Sequence, residues 1–188
     1  MRIFHELPHS PFTQDSALTI GVFDGVHRGH QRLIDVTLRR ARAAGRLCGV
    51  LTFDPHPVEV LAPQVHIRYL STIAQRARWI EHRGVDFLYV VHFTHEVSQL
   101  SARDFVRPLV DQFHMRELVI GYDFTLGHKR QGDADYLRAL GADWGFSVEV
   151  VPPLMVNGEI VSSTRIRKLL AEGRVREAPG GSRPRTQV

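Results

Sequence analysis

Two histidines three positions apart, His27 and His30, stand among three glycines in the run Gly21-Val22-Phe23-Asp24-Gly25-Val26-His27-Arg28-Gly29-His30. Imidazoles at this spacing on a helix share one face, so both could donate hydrogen bonds to one phosphoryl group. Gly25 suits a tight turn, and Gly29 leaves room for a phosphate at a first helical turn, where unpaired N–H groups attract anions. The plainer readings are a surface or core histidine, or a metal pair whose third ligand comes from elsewhere. Neither accounts for the flanking glycines.

A second run, Val161-Ser162-Ser163-Thr164-Arg165-Ile166-Arg167, places three hydroxyls before two cations. Hydroxyls at a helix start are ordinarily caps. Followed by Arg165 and Arg167, they also make a helix end that could hold a polyphosphate. Two such ends in one chain suit a triphosphate. Other phosphate signatures are missing. Gly127 and Gly132 have the Walker spacing but run on into Asp133, and no G-x-G-x-x-G occurs. His92 and His95 have no third ligand in view, so no residue is assigned to a metal.

Positioning these runs requires a scaffold, and the apolar pattern supplies one. Short Val, Ile and Phe-rich runs at Ala17–Phe23, Leu47–Phe53, Phe87–Phe93, Leu118–Gly121 and Phe146–Val151 alternate with helical periods at about 28–44, 72–83, 101–113, 132–144 and 164–172. That alternation predicts an α/β fold, a parallel sheet with helices on its faces. The histidine run then falls where the first strand turns into the first helix, the end of an open sheet at which ligands bind. Gly45 and Gly84 are placed to end helices, while Ser101, Ser163 and Thr164 are placed to begin them.

The chain's 188 residues fit one domain, and 43% hydrophobic with 23% charged residues is ordinary for a globular chain. A single cysteine, Cys48, excludes a disulfide framework and a Cys-rich metal site. The N-terminal run lacks the apolar core of a signal peptide, and no stretch is apolar for the length of a membrane span. A cytoplasmic protein without a membrane partner is expected. The formal charge is +4, but residues 165–188 hold seven Lys+Arg against two Asp+Glu, leaving the body near neutral. A nucleic-acid partner is therefore not expected.

The histidine run resembles the H-x-G-H signature of the nucleotidyltransferase superfamily. In its longer form, with Phe23-Asp24-Gly25, it looks like the adenylyltransferase half of the bacterial bifunctional riboflavin kinase/FAD synthetase. Four further segments are similar to that family in order and spacing: Phe53-Asp54-Pro55-His56-Pro57, Leu100–Val106, Gly121-Tyr122-Asp123-Phe124 with Gly127, and Ser162–Arg167. The resemblance covers about residues 15–177 and implies a Rossmann-like fold. It implies transfer of AMP from ATP, with Mg²⁺, to FMN, giving FAD and pyrophosphate. The ATP side it implies comprises Gly21, Phe23, Asp24, Gly25, His27, His30, Ser163, Thr164 and Arg167, with His27, His30 and Arg167 catalytic. The FMN side comprises Phe53, Pro55, Pro57, Asp123, Phe124 and Arg130, with Lys129 or Arg130 standing in for a missing contact.

That contact is missing because Thr125-Leu126-Gly127 stands where the family usually shows Arg-Phe-Gly. Residues 1–172 are expected to form the adenylyltransferase domain and 173–188 a basic, Pro/Gly-rich tail without regular structure, with no riboflavin kinase domain. Two other readings stay open. One is an adenylyltransferase for another phosphate-bearing acceptor, of the pantetheine-phosphate or nicotinate-mononucleotide type; the other is a flavin- or nucleotide-binding protein without turnover.

Overall fold

A computed structural model describes residues 1–156 and 158–175. All five apolar runs lie in one sheet, as β2 (Ser16–Ile20), β3 (Leu47–Asp54), β4 (Phe87–His92), β5 (Met115–Gly121) and β6 (Ser147–Val151). A short edge strand that the pattern did not predict, β1 (Arg2–Phe4), joins them. Every adjacent pair is parallel, in the order β1-β4-β3-β2-β5-β6. The helices are α1 (Arg28–Ala43), α2 (Pro57–Leu61), α3 (Ile73–Glu81), α4 (His95–Gln99), α5 (Ala102–Gln112), α6 (Ala134–Trp144) and α7 (Ser163–Ala171). A two-stranded antiparallel hairpin, β7 (Met155–Val156) and β8 (Glu159–Ile160), leads from β6 towards α7. No helix among the described residues is long and apolar enough to cross a membrane.

Alternation along each buried strand sorts its side chains to two faces. Leu18, Ile20, Leu51, Phe87 and Leu118 share one cluster with Val106 and Leu109 of α5 and Leu137 and Leu140 of α6. Ala17, Cys48, Val50, Leu88 and Val119 share the other with Leu33 and Ile34 of α1 and Ala77 and Ile80 of α3. Right-handed crossovers through α1 and α3 carry the chain outward from β2 across β3 to β4, and α5 and α6 then build β5 and β6 on the opposite side. The winding therefore reverses between β2 and β5, and a crevice opens beyond their carboxyl ends.

Several boundaries moved for identifiable reasons. The first strand stops at Ile20 rather than Phe23, because Phe23 takes a left-handed backbone (φ 52) and turns the chain into a 3₁₀ turn at Asp24–Val26. His27 caps α1 from outside instead of lying on it, and α6 begins at Ala134 because Asp133 caps it. Helix α7 begins at Ser163 under a Ser162 cap, one residue before the expected start. Ser101 caps α5 as the sequence suggests. Residues 176–188, most of the expected tail, lie outside the described residues, and 173–175 are exposed.

Gly49 shows how tightly the sheet is filled: a Cβ built there would overlap the Phe87 ring and a Leu18 methyl, both fully buried. Overpacking of this kind costs about 1–3 kcal/mol. We therefore expect Gly49→Ala to lower the urea-unfolding free energy by about that amount. An unchanged urea midpoint would mean the core has slack here.

Candidate functional site

The crevice between β2 and β5 is walled by the loops that follow them, and the first is anchored by one carboxylate. Asp24 is 1% exposed and accepts hydrogen bonds from the Leu70 and Ser71 amides (3.0 Å each), the Ser71 hydroxyl (3.0 Å) and the Arg167 guanidinium (2.7 Å). Arg76, equally buried, completes the cluster at 3.6 Å. Ser71 in turn accepts from the Gly25 amide at 2.8 Å. Arg76 also donates to the Val22 carbonyl at 2.8 Å, and Arg167 to the Arg68 carbonyl at 3.0 Å. Burial alone would raise the Asp24 carboxyl, but the hydrogen bonds from Leu70, Arg167 and Ser71, with the Arg76 charge, outweigh it and hold it below its ordinary range.

That anchoring tolerates a strained loop. Phe23, Gly25 and Val26 all have positive φ (52, 76 and 35). Glycine at 25 meets a second need, because a Cβ there would stand 2.9 Å from that of Leu70. The turn brings His27 and His30 together with ring centroids 3.6 Å apart and planes 17° from parallel, while Phe23 meets His30 edge-on. The rings stack because His27 precedes the helix and accepts the His30 amide on Nδ1 at 3.3 Å. With Nδ1 accepting, the His27 proton is assigned to Nε2. Burial lowers His27 to about 4 against an opposing pull from Asp24. Burial also puts His30 well below its usual value, helped by the charges of His27, Arg76 and Arg167. Both rings are neutral at pH 7. Gly29, which lines the crevice, also makes room within the protein: a Cβ there would crowd the His27 ring at 3.2 Å and the Val161 carbonyl at 3.3 Å.

Two compartments open from this point. The smaller, about 250 Å³, is lined by Gly21, Phe23, His27, His30 and Ser163 together with the 151–154 segment and Ile160. The larger, about 680 Å³, is lined by Phe53, Pro57, Phe93, Phe105 and the loop 123–130, including Arg130. Gly21, His30, Asp123 and Phe124 belong to both and form the wall between them. Asp24, Gly25, Pro55, Thr164 and Arg167 line neither: the first two and Arg167 belong to the anchor, and Thr164 is exposed at the start of α7. Pro55 follows a cis peptide bond at the end of β3. A comparably large groove along residues 2–14 contains none of the motif residues.

The motifs did not disclose Ser71 or Arg76, nor that Thr125, noted only as a departure from the family pattern, accepts a hydrogen bond from Arg130. Arg76 had a signal: with Ile73, Ala77 and Ile80 it occupies one helical stripe that is otherwise apolar, and it is buried there. Among the described residues, no group of three or more His, Cys, Asp or Glu side chains could hold a metal. Among the described residues, Asp123 is the only carboxylate lining either compartment.

A parallel sheet in which the turn before α1 and the start of α7 converge on a cleft at the switch point defines a Rossmann-like domain of nucleotidyltransferase type. The sequence profile of the FAD synthetase family matches residues 9–165, and the chain belongs to that family. The bifunctional riboflavin kinase/FMN adenylyltransferase of Listeria monocytogenes is 37% identical over 177 residues, which is 90% of this chain and 56% of that protein. The protein of the same description from Escherichia coli K12 is 32% identical over 92% of this chain and 55% of its own length. A solved structure described as a macrolide-efflux protein from Streptococcus pneumoniae superposes with a TM-score of 0.83 at 29% identity, covering 95% of this chain and 59% of that one. The chain spans about half the length of the curated relatives it matches.

The anchor and the histidines set a pH dependence with one sign. Between about 6.5 and 4 the unfolded chain takes up a proton on His27 that the folded chain refuses, so stability falls as pH drops. The Asp24 contribution is complete above its ordinary pKa and is lost below it, as pH falls through the depressed folded value. We expect the urea midpoint to decline steadily from pH 7 to pH 4, with a shallower decline in His27→Asn. A midpoint that is level from pH 7 to pH 5 would show that the histidines are not held neutral.

Proposed function

We propose that this chain transfers the adenylyl group of ATP to the phosphate of FMN, forming FAD and releasing pyrophosphate. The supporting observation is the pair of compartments that meet at Gly21, His30, Asp123 and Phe124. One is bounded by the turn before α1 and the start of α7, as an adenine nucleotide requires. The other is aromatic and large enough for a fused ring system. Substrates held in two compartments that meet at these residues can bring their phosphates together there, and in nucleotidyl transfer such positioning supplies much of the acceleration.

In this reading an oxygen of the FMN phosphate attacks the α-phosphorus of ATP, and the bond to the bridging oxygen of pyrophosphate breaks. A phosphate monoester with its second pKa near 6 is already largely ionised at pH 7, so no general base is required. His27 and His30 act as neutral donors to the oxygens that gain charge. For His27 the nitrogen available is Nε2, since Nδ1 is occupied; the His30 Nδ1 is buried, which leaves its Nε2. The free amides at the start of α1 add partial positive charge without a bound cation. Ser163, in the lining of the smaller compartment, is placed to meet the two phosphates that leave, with Thr164 next to it and the Arg167 guanidinium held by Asp24 behind that lining. Phe53, Pro57 and Phe124 contact the flavin ring; Pro55 shapes the turn between Phe53 and Pro57, and Phe124 enters from the loop after β5.

Mg²⁺ fits this donor set as a companion of ATP. It is commonly held by substrate phosphates and one or two carboxylates, and Asp123 is the carboxylate in place, whereas the Asp24 oxygens are already occupied. Bound with ATP, it would neutralise phosphate charge.

The test is to incubate the purified chain with Mg²⁺ and ATP, offering FMN, pantetheine phosphate or nicotinate mononucleotide, and to separate the products. FAD should form, with no adenylylation of the other acceptors. Absence of FAD, or preference for another acceptor, would overturn the assignment. We further expect His30→Ala to lower kcat by about 10²–10³, the range for loss of one preorganised donor, while FMN affinity stays near that of the parent. A kcat unchanged by His30→Ala would remove the histidine from the mechanism.

A further inference from the structure

Resting on the FMN reading of the larger compartment, we infer that Thr125 is a positioning residue: its hydroxyl fixes the Arg130 guanidinium so that its two terminal nitrogens meet the phosphate of the flavin substrate. The Arg130 Nε donates to the Thr125 Oγ1 at 2.9 Å, and among the described residues its terminal nitrogens have no protein partner. Both residues line the larger compartment. Arginine recognises phosphate best through two parallel N–H donors on one edge, and occupying Nε leaves the edge formed by the terminal nitrogens.

The surrounding loop is built to hold this pair. Lys129 and Arg130 both have left-handed backbones, with φ 54 and 60. Two consecutive non-glycine residues in that region persist only where the surroundings over-determine them. Here Leu126 and Gly132 exchange backbone hydrogen bonds at 3.1 and 2.9 Å, closing the loop at its base. The His128 amide donates to the Leu100 carbonyl at 2.8 Å, and the Arg130 amide to the Gly127 carbonyl at 3.0 Å. Gly127 lies so close to the first turn of α5 that a Cβ would stand 2.5 Å from the Ala102 nitrogen. The result is a short, tightly closed loop whose tip carries His128, Lys129 and Arg130 at the rim of an apolar compartment. A flavin ring suits the compartment, and Arg130 lines it together with His30 and Phe124, beside which the phosphate must lie to react.

The contribution of Thr125 is conformational. An exposed arginine has many rotamers to lose on binding, and one already tethered at Nε loses fewer. Removing the tether should weaken phosphate binding while leaving the ring's compartment and the chemical step alone.

Equilibrium binding of FMN and of riboflavin, read by flavin fluorescence, tests this alongside the kinetics of FAD formation. Riboflavin shares the ring and lacks the phosphate. For Thr125→Val we expect the Kd and KM for FMN to rise about three- to tenfold, at or below the lower end for a hydrogen bond to a charged group. Its kcat, its KM for ATP and its riboflavin affinity should match the parent. Thr125→Ser should restore FMN affinity, and adding Thr125→Val to Arg130→Ala should cost nothing further. The inference is overturned if Thr125→Val binds FMN like the parent, if riboflavin affinity falls equally, if serine fails to rescue, or if the penalty survives on the Arg130→Ala background. A parent chain that makes FAD while Thr125→Val is silent sinks this inference alone. A parent chain that binds no FMN sinks it together with the FMN reading.

Discussion

The site depends on one buried carboxylate. Asp24 receives the amides of Leu70 and Ser71, the guanidinium of Arg167 and the charge of Arg76, so a single side chain joins the turn after β2, the segment before α3, α3 itself and α7. These pieces are far apart in sequence, the most distant contact spanning 143 positions. A buried carboxylate without partners is costly, and breaking one side of such a pair costs about 3–5 kcal/mol, so every piece must arrive for any to be stable. The strained backbone at Phe23 and Val26 is maintained by that same requirement.

The stacked histidines follow from the anchor. Once Gly25 and Ser71 are tied together, the chain enters α1 at an angle that puts His27 before the helix rather than on it. Two imidazoles separated by 3.6 Å cannot both be charged at reasonable cost, and their burial keeps them neutral. The sheet supplies the other wall, because the reversal of winding between β2 and β5 leaves Gly21 and Gly121 at the mouth of one crevice.

Much of this architecture could be read from the chain, for a simple physical reason. A strand buried on both faces must be apolar almost throughout, so β2, β3 and β4 announce themselves, and Gly45 and Ser101 mark helix ends through backbone needs that few residues meet. The three residues of β1 are too few to carry a period, and α2 and α4, five residues each, offer one turn apiece. His27 and His30 were legible because glycines flank them. Ser71 and Thr125 were not, because one hydroxyl in a loop has no pattern, and its partner is settled only when the fold closes. Asp24 was legible as part of a motif, whereas its partners Leu70, Ser71, Arg76 and Arg167, scattered along the chain, were not.

The anchor is also not electrically neutral. One carboxylate faces two guanidiniums, which stay protonated at any physiological pH, so the cluster keeps one positive charge behind the turn that leads into α1. Arg76 is 1% exposed, so counter-ions cannot approach it as they approach a surface arginine. Mobile salt screens charges in solvent within about 8–10 Å but reaches buried ones poorly. The attraction that the buried Arg76 exerts on an anion at the turn therefore fades less with added salt than that of a surface arginine.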